Sequence, residues 1–167
     1  MTVHRNSGVP FFRPTITDNE IKEVISVLQS GWLTTGPKTA QFEKDFSSLV
    51  GARYAVAVNS CTAALHLAVE ALGLERGHAV LVPTMTFAAT AEVVRYCGAL
   101  PILVDCNEGT LNIDLEDAER KLTSMMERPG FNGSSDARPV GIMPVHVGGF
   151  MADIKALELL RQDILCG

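Results

Sequence analysis

The predicted fold and function depend most on one stretch, Asn59-Ser60-Cys61-Thr62-Ala63-Ala64-Leu65. The apolar run before it, residues 54–58, predicts a buried strand, and the helical spacing after it predicts a helix over residues 61–72. The small polar residues would then form a strand-to-helix turn. The first amides of a helix have no partner inside it, so such a turn favours a phosphate, with the Thr62 hydroxyl as a further donor. A plain helix N-cap is the alternative.

The bulk composition describes an ordinary globular domain. The 167 residues are 47% hydrophobic and 20% charged, with a formal net charge of −5. The mild negative charge argues against a nucleic-acid surface, and no apolar stretch reaches a membrane-spanning length. The four cysteines show no paired metal-ligand spacing, so we predict no metal site, and we expect reduced thiols in a cytoplasmic protein.

Helical and strand signals alternate along most of the chain. A capping box at Thr17 and Glu20 opens a first helix that ends at Gly31, and a second amphipathic helix closes at Gly51. Three more strands are predicted at residues 79–82, 101–104 and 140–145. Three more helices are predicted at residues 88–97, 115–126 and from 154 onward, with Asp114 and Asp153 as the caps of the last two and a loop over residues 127–138. This succession of β–α units predicts an α/β fold with a mostly parallel sheet and helices on both faces.

Ligands of open α/β sheets bind beyond the carboxyl ends of the strands. That rule places residues 59–62 and 84–87 on one rim together with Asp105 and His146. Asp105 is expected to cap a turn, whereas His146 is either a ligand-contacting residue or a hydrogen-bonded rim histidine. For His66, one turn after Thr62, we expect a buried, hydrogen-bonded role in the core.

Four segments together resemble the DegT-type sugar aminotransferases, a pyridoxal-phosphate-dependent family that aminates keto sugars on nucleotide carriers. They are residues 30–37 (SGWLTTGP), 56–65 (VAVNSCTAAL), 82–90 (VPTMTFAAT) and 144–146 (PVH). The resemblance implies the large domain of the aspartate-aminotransferase type (fold type I). It also implies pyridoxal 5′-phosphate as cofactor, a nucleotide-sugar substrate, an amino-acid donor such as glutamate, and a homodimer.

The resemblance assigns roles position by position. Cys61 and Thr62 match the residues that hold the cofactor phosphate, and Phe87 matches the aromatic ring that stacks on the pyridine; a core aromatic is its alternative. Trp32, Thr35 and Gly36 match a loop near the substrate end of the pocket.

Two features of the family pattern have no match in this sequence. They are the carboxylate that faces the pyridine nitrogen and the lysine that attaches the cofactor. We therefore expect residues 1–167 to be an N-terminal portion of the large domain, with no catalytic residue of its own and inactive alone. A non-catalytic module that assembles with a homologous subunit is the alternative. A small Rossmann-type nucleotide binder ranks last, because no G-x-G-x-x-G follows the first predicted strand.

Overall fold

The computed structural model describes residues 12–126 and 137–166. The chain divides into two compact units, Met1–Ala57 and Val58–Gly167. Most of the loop expected at residues 127–138 lies outside the described residues. No helix in the described part of the chain is both long and apolar enough to cross a membrane.

The first unit contains two helices, α1 (Asp18–Ser30) and α2 (Pro37–Val50). The predicted capping box is confirmed: the Thr17 side chain accepts from the backbone of the first turn, and Glu20 accepts from the Thr17 amide. The hydrogen bonds from Thr17 lower the pKa of the Glu20 carboxyl. Gly31, at a φ of 72°, ends α1 in the left-handed conformation that glycine adopts without strain.

The prediction of a strand at residues 54–58 is wrong. The segment belongs to no strand, and Tyr54 and Val56 are 74% and 77% exposed. Its local pattern suits a strand, but a strand exists only where a neighbour completes its hydrogen bonds. No described strand pairs with it, and a side-chain contact is recorded instead, from the Ala57 amide to the Glu43 carboxylate at 2.8 Å.

The second unit is built on a three-stranded parallel sheet in the order β2-β1-β3. The strands are β1 (His78–Pro83), β2 (Leu100–Val104) and β3 (Arg138–Ile142). The first two agree with prediction to within a residue, but β3 begins and ends earlier than the predicted 140–145. Pro83 pairs with Val104, so β1 and β2 end side by side at the carboxyl edge of the sheet.

Four helices connect and cover these strands. They are α3 (Cys61–Ala71), α4 (Ala89–Tyr96), α5 (Leu115–Met126) and α6 (Ile154–Cys166), with a short 3₁₀ turn at Val147–Gly149. The predicted caps of the last two helices are confirmed. Asp114 accepts from the amides of Glu116 and Asp117, and Asp153 accepts from the amide of Ala156.

Hydrophobic clusters form on both faces of the sheet, because successive side chains of a strand point to opposite sides. On one face, Leu81 and Val104 pack with residues of α5 and α6 such as Leu122 and Leu157. On the other, Val80 packs with Val94 of α4 and with Ala99. The predicted α/β class, with a parallel sheet and helices on both faces, is therefore confirmed.

Candidate functional site

The amino end of α3 has backbone donors that no described residue uses. Ser60 is the N-cap: its hydroxyl accepts from the Ala63 amide at 3.1 Å, and its carbonyl accepts from the Ala64 amide at 3.1 Å. The amides of Cys61 and Thr62 donate to no acceptor among the described residues. The N-cap interpretation is therefore confirmed for Ser60, and the phosphate site stays a prediction for which two amides remain.

The two residues at the start of α3 are accessible enough for a small anion to reach them. Cys61 is exposed and Thr62 is half-buried, so neither residue is sealed in the core. A phosphate ester fits this donor set, which combines neutral N–H groups, a hydroxyl and the positive end of a helix dipole.

A second polar turn follows β1 at the carboxyl edge of the sheet. The Thr84 amide donates to the Val104 carbonyl at 2.8 Å, and the hydroxyls of Thr86 and Thr90 lie 2.7 Å apart. Phe87 lies in this turn, two residues before α4, and is 79% exposed. The alternative that Phe87 is a core aromatic is therefore wrong, because its ring is open to solvent and available for stacking.

The predicted rim residues of β2 and β3 make local hydrogen bonds. The Asp105 carboxylate accepts from the Cys106 amide at 2.8 Å, which is the turn-capping role expected of it. His146 accepts through Nδ1 from the Ala152 amide at 3.1 Å, as the interpretation of a hydrogen-bonded rim histidine predicted.

Asp117 of α5 holds the carboxyl end of β2 through hydrogen bonds. Its carboxylate accepts from the Asp105 amide at 2.8 Å and from the Lys121 ammonium at 2.6 Å, and Lys121 also donates to the Leu103 carbonyl at 2.7 Å. The hydrogen bond from the Asp105 backbone, followed by those from Lys121 and Arg120, lowers the pKa of Asp117 to about 2. The buried carboxylate of Asp117 therefore helps to hold the backbone of residues 103–105, at the carboxyl end of β2, in position.

The three residues matched to a substrate loop lie together in the first unit. The Trp32 indole donates to the Thr35 carbonyl at 2.9 Å. Gly36 lies directly under the indole, since a β-carbon at that position would fall 2.2 Å from Trp32 Nε1. This loop belongs to a different unit from Cys61, Thr62 and Phe87.

A cavity in the described part of the second unit has none of Cys61, Thr62 and Phe87 in its wall. It measures about 450 Å³ and lies between the segment 107–116 and the segment 150–157. Its wall includes Asn112, a buried residue whose amide nitrogen donates to the Phe150 carbonyl at 3.0 Å and whose amide oxygen accepts from the Val147 amide at 2.9 Å. Sequence reasoning missed Asn112, because both partners lie more than thirty residues away.

The expectation of a core role for His66 is also wrong. Its side chain is 39% exposed, and its Nε2 lies 3.4 Å from a carboxylate oxygen of Glu70. The four-residue spacing of these two residues on a helix is the signal that could have indicated the contact. Cys97 approaches the same oxygen, and the pKa of its thiol is raised by desolvation and then by the negative charge of Glu70.

Comparison with known proteins identifies the family of this chain. The model of the DegT/DnrJ/EryC1/StrS aminotransferase family matches residues 14–164. The chain is 42% identical over 163 residues to the spore coat polysaccharide biosynthesis protein SpsC of Bacillus subtilis (strain 168), covering 98% of this chain and 39% of SpsC. It thus spans about two fifths of that relative's length.

Solved structures agree with that match. The putative sugar aminotransferase Spr1654 from Streptococcus pneumoniae, in its PLP form, superposes with a TM-score of 0.77 at 35% identity, covering 91% of this chain and 36% of that one. A DegT DnrJ EryC1 StrS aminotransferase from Brucella abortus gives a TM-score of 0.76 at 31% identity, covering 87% and 38%.

Proposed function

Because this chain belongs to the DegT/DnrJ/EryC1/StrS aminotransferase family, we propose that it forms the N-terminal portion of the cofactor-binding large domain of a sugar aminotransferase. The whole enzyme transfers an amino group from an amino acid such as glutamate to a nucleotide-linked keto sugar. The name of the relative SpsC supports a role in polysaccharide biosynthesis.

This proposal rests on two amides at the start of α3, those of Cys61 and Thr62, which donate to no described residue. In the proposed site, Cys61 and Thr62 bind the phosphate of pyridoxal 5′-phosphate through these amides and the Thr62 hydroxyl. The exposed ring of Phe87 stacks on the pyridine. When bound, the cofactor supplies an electron sink for the bond-breaking steps, and this chain contributes the binding and orientation of its phosphate and ring.

Trp32, Thr35 and Gly36 are proposed to contact the sugar substrate. Their support is the compact loop in which the indole is fixed over Gly36 by its hydrogen bond to Thr35. A planar, partly exposed indole held in one orientation is suited to packing against a sugar or a nucleotide base.

The proposal includes a homodimer. It is supported by the apolar stripe of α1, whose members Ile21, Val24 and Leu28 are each half or more exposed. Exposed apolar stripes of this kind are typical of surfaces that a partner covers. Sedimentation equilibrium of the chain at increasing concentration tests this part, and a monomer at all concentrations would contradict it.

The cofactor site is tested with pyridoxamine 5′-phosphate, whose amine does not form an imine with surface lysines. Equilibrium dialysis should show saturable binding that falls about tenfold in Thr62→Val, because one hydrogen bond to a charged phosphate is lost. Unphosphorylated pyridoxamine should bind no better to the wild type than to the variant. Thr123→Val, an exposed threonine on α5, is the matched control. Equal affinity of wild type and Thr62→Val for the phosphorylated compound would reject the site.

The absence of the attaching lysine is tested separately. Pyridoxal 5′-phosphate and borohydride are added, and labelled peptides are mapped. We expect no stoichiometric label on any one of the five lysines, Lys22, Lys38, Lys44, Lys121 and Lys155. One fully labelled lysine would show that the chain carries its own attachment residue.

A further inference from the structure

Three side chains with metal-binding atoms converge where α3 meets α4. His66 and Glu70 lie one turn apart on α3, and Cys97 follows the last residue of α4. The His66 Nε2 atom is 3.4 Å from Glu70 Oε1, and the Cys97 Sγ atom is 3.7 Å from the same oxygen. All three atoms lie within 4.8 Å of one another. The cluster shares no residue with the proposed cofactor site.

These separations match those of ligands around one tetrahedral zinc ion. Zinc bonds of about 2.0–2.3 Å to nitrogen, oxygen and sulfur place neighbouring ligand atoms roughly 3.3–3.8 Å apart. Two of the three separations already fall in this range. The third, from His66 to Cys97, is at most 4.8 Å, so it needs to shorten by no more than about 1.5 Å to reach the zinc range. Rotation of the half-buried Cys97 side chain about its Cα–Cβ bond is the movement that shortens this distance.

The immediate surroundings hold the histidine in place. The Tyr96 ring packs edge-on against the His66 ring, with 5.3 Å between centroids and an interplanar angle of 70°. Tyr96 directly precedes Cys97, so one short segment both orients the imidazole and supplies the sulfur. The ring contact limits the orientations open to the imidazole.

We propose that His66, Glu70 and Cys97 bind a zinc ion, with water in the fourth position. An imidazole, a carboxylate and a thiolate together are a ligand set of the kind that suits zinc, whereas calcium and magnesium take oxygen ligands. The Glu70 and His66 side chains are 57% and 39% exposed, so solvent reaches the fourth position. The proposal does not depend on the aminotransferase function.

Metal titration of the full chain, prepared without an affinity tag, tests the proposal. Zinc should bind with a stoichiometry of one in competition with a chromophoric chelator. Cobalt should give the charge-transfer band of a thiolate ligand and the visible bands of tetrahedral cobalt. In each of the variants His66→Gln, Glu70→Gln and Cys97→Ser, zinc affinity should fall at least about a hundredfold, since even the loss of an outer-shell partner costs ten- to a hundredfold. Cys106→Ser, which changes a half-buried cysteine outside the cluster, should bind like the wild type.

A second readout separates metal binding from misfolding. Zinc should raise the melting temperature of the wild type and of Cys106→Ser, but not that of Cys97→Ser, because only a protein that binds the ion in its folded state is stabilised by it. Circular dichroism without metal should show the same helix content in all variants. A cobalt charge-transfer band that survives Cys97→Ser, or a zinc affinity that is the same in Glu70→Gln as in the wild type, would overturn the site.

Discussion

Replacing Asp117 with Asn should destabilise the second unit by about 1–2 kcal/mol at pH 7. Asp117 is 7% exposed, and its carboxylate accepts from the Asp105 amide and the Lys121 ammonium at 2.8 and 2.6 Å. These contacts lower its pKa from 3.8 to about 2. The full shift corresponds to about 2 kcal/mol, and screening of the more exposed cations Lys121 and Arg120 reduces it.

The pH dependence has a definite sign. Because the folded-state pKa of Asp117 is lower than its unfolded value, the unfolded chain binds more protons in the acid range. The stabilisation is therefore complete above about pH 5 and is lost as the pH falls toward 2. At pH 3 about half of the charge-dependent contribution should remain. The difference between wild type and Asp117→Asn should shrink accordingly.

Urea unfolding followed by far-ultraviolet circular dichroism measures this difference at pH 7 and pH 3. Glu119→Gln, which neutralises an exposed carboxylate on the same helix, is the control and should change the unfolding free energy by less than about 0.5 kcal/mol. Two results would refute the reasoning. One is an equal loss in both variants, and the other is a deficit of Asp117→Asn that is the same at pH 3 as at pH 7.

Three further substitutions test the packing and the loop geometry. Leu81→Ala, at a fully buried position of β1, should cost about 3 kcal/mol in urea unfolding, whereas Leu72→Ala, at a residue 85% exposed, should cost little. Asn112→Ala should cost about 2 kcal/mol in the same assay, because a buried side chain loses its hydrogen bonds to the Phe150 carbonyl and the Val147 amide; a loss below about 0.5 kcal/mol would contradict that role. Gly36→Ala should push the indole of Trp32, the single tryptophan of the chain, out of its hydrogen bond and increase acrylamide quenching of its fluorescence; unchanged quenching would contradict the close contact.

The helices and two of the strands could be predicted because their signals are local. The capping box at Thr17, the cap at Asp114 and the stop at Gly31 each depend on residues no more than four positions apart. The start of α3 was predicted for the same reason. The polar turn and the helical spacing that follow it are both contained in one short stretch.

The parts that could not be predicted depend on residues distant in sequence. Asn112 is buried because it joins backbone groups 35 and 38 residues away. Cys97 reaches Glu70 across 27 residues, so cysteine spacing alone gave no indication of a metal-binding cluster. Such contacts follow from the strand order β2-β1-β3 and from the packing of α3 on α4. Neither the strand order nor this packing can be predicted from a short stretch of sequence.

The segment 54–58 shows that a local sequence pattern is not sufficient to predict a strand. Its alternation of Tyr54, Val56 and Val58 with alanines is as good a strand signal as that of β1, yet only β1 forms a strand. The two segments differ in their neighbours, because β1 lies between β2 and β3 and completes its hydrogen bonds on both sides. The side-chain pattern of a segment therefore indicates whether the segment is able to form a strand. Whether it does so depends on a second segment that pairs with it, and the sequence of the first segment alone does not show this.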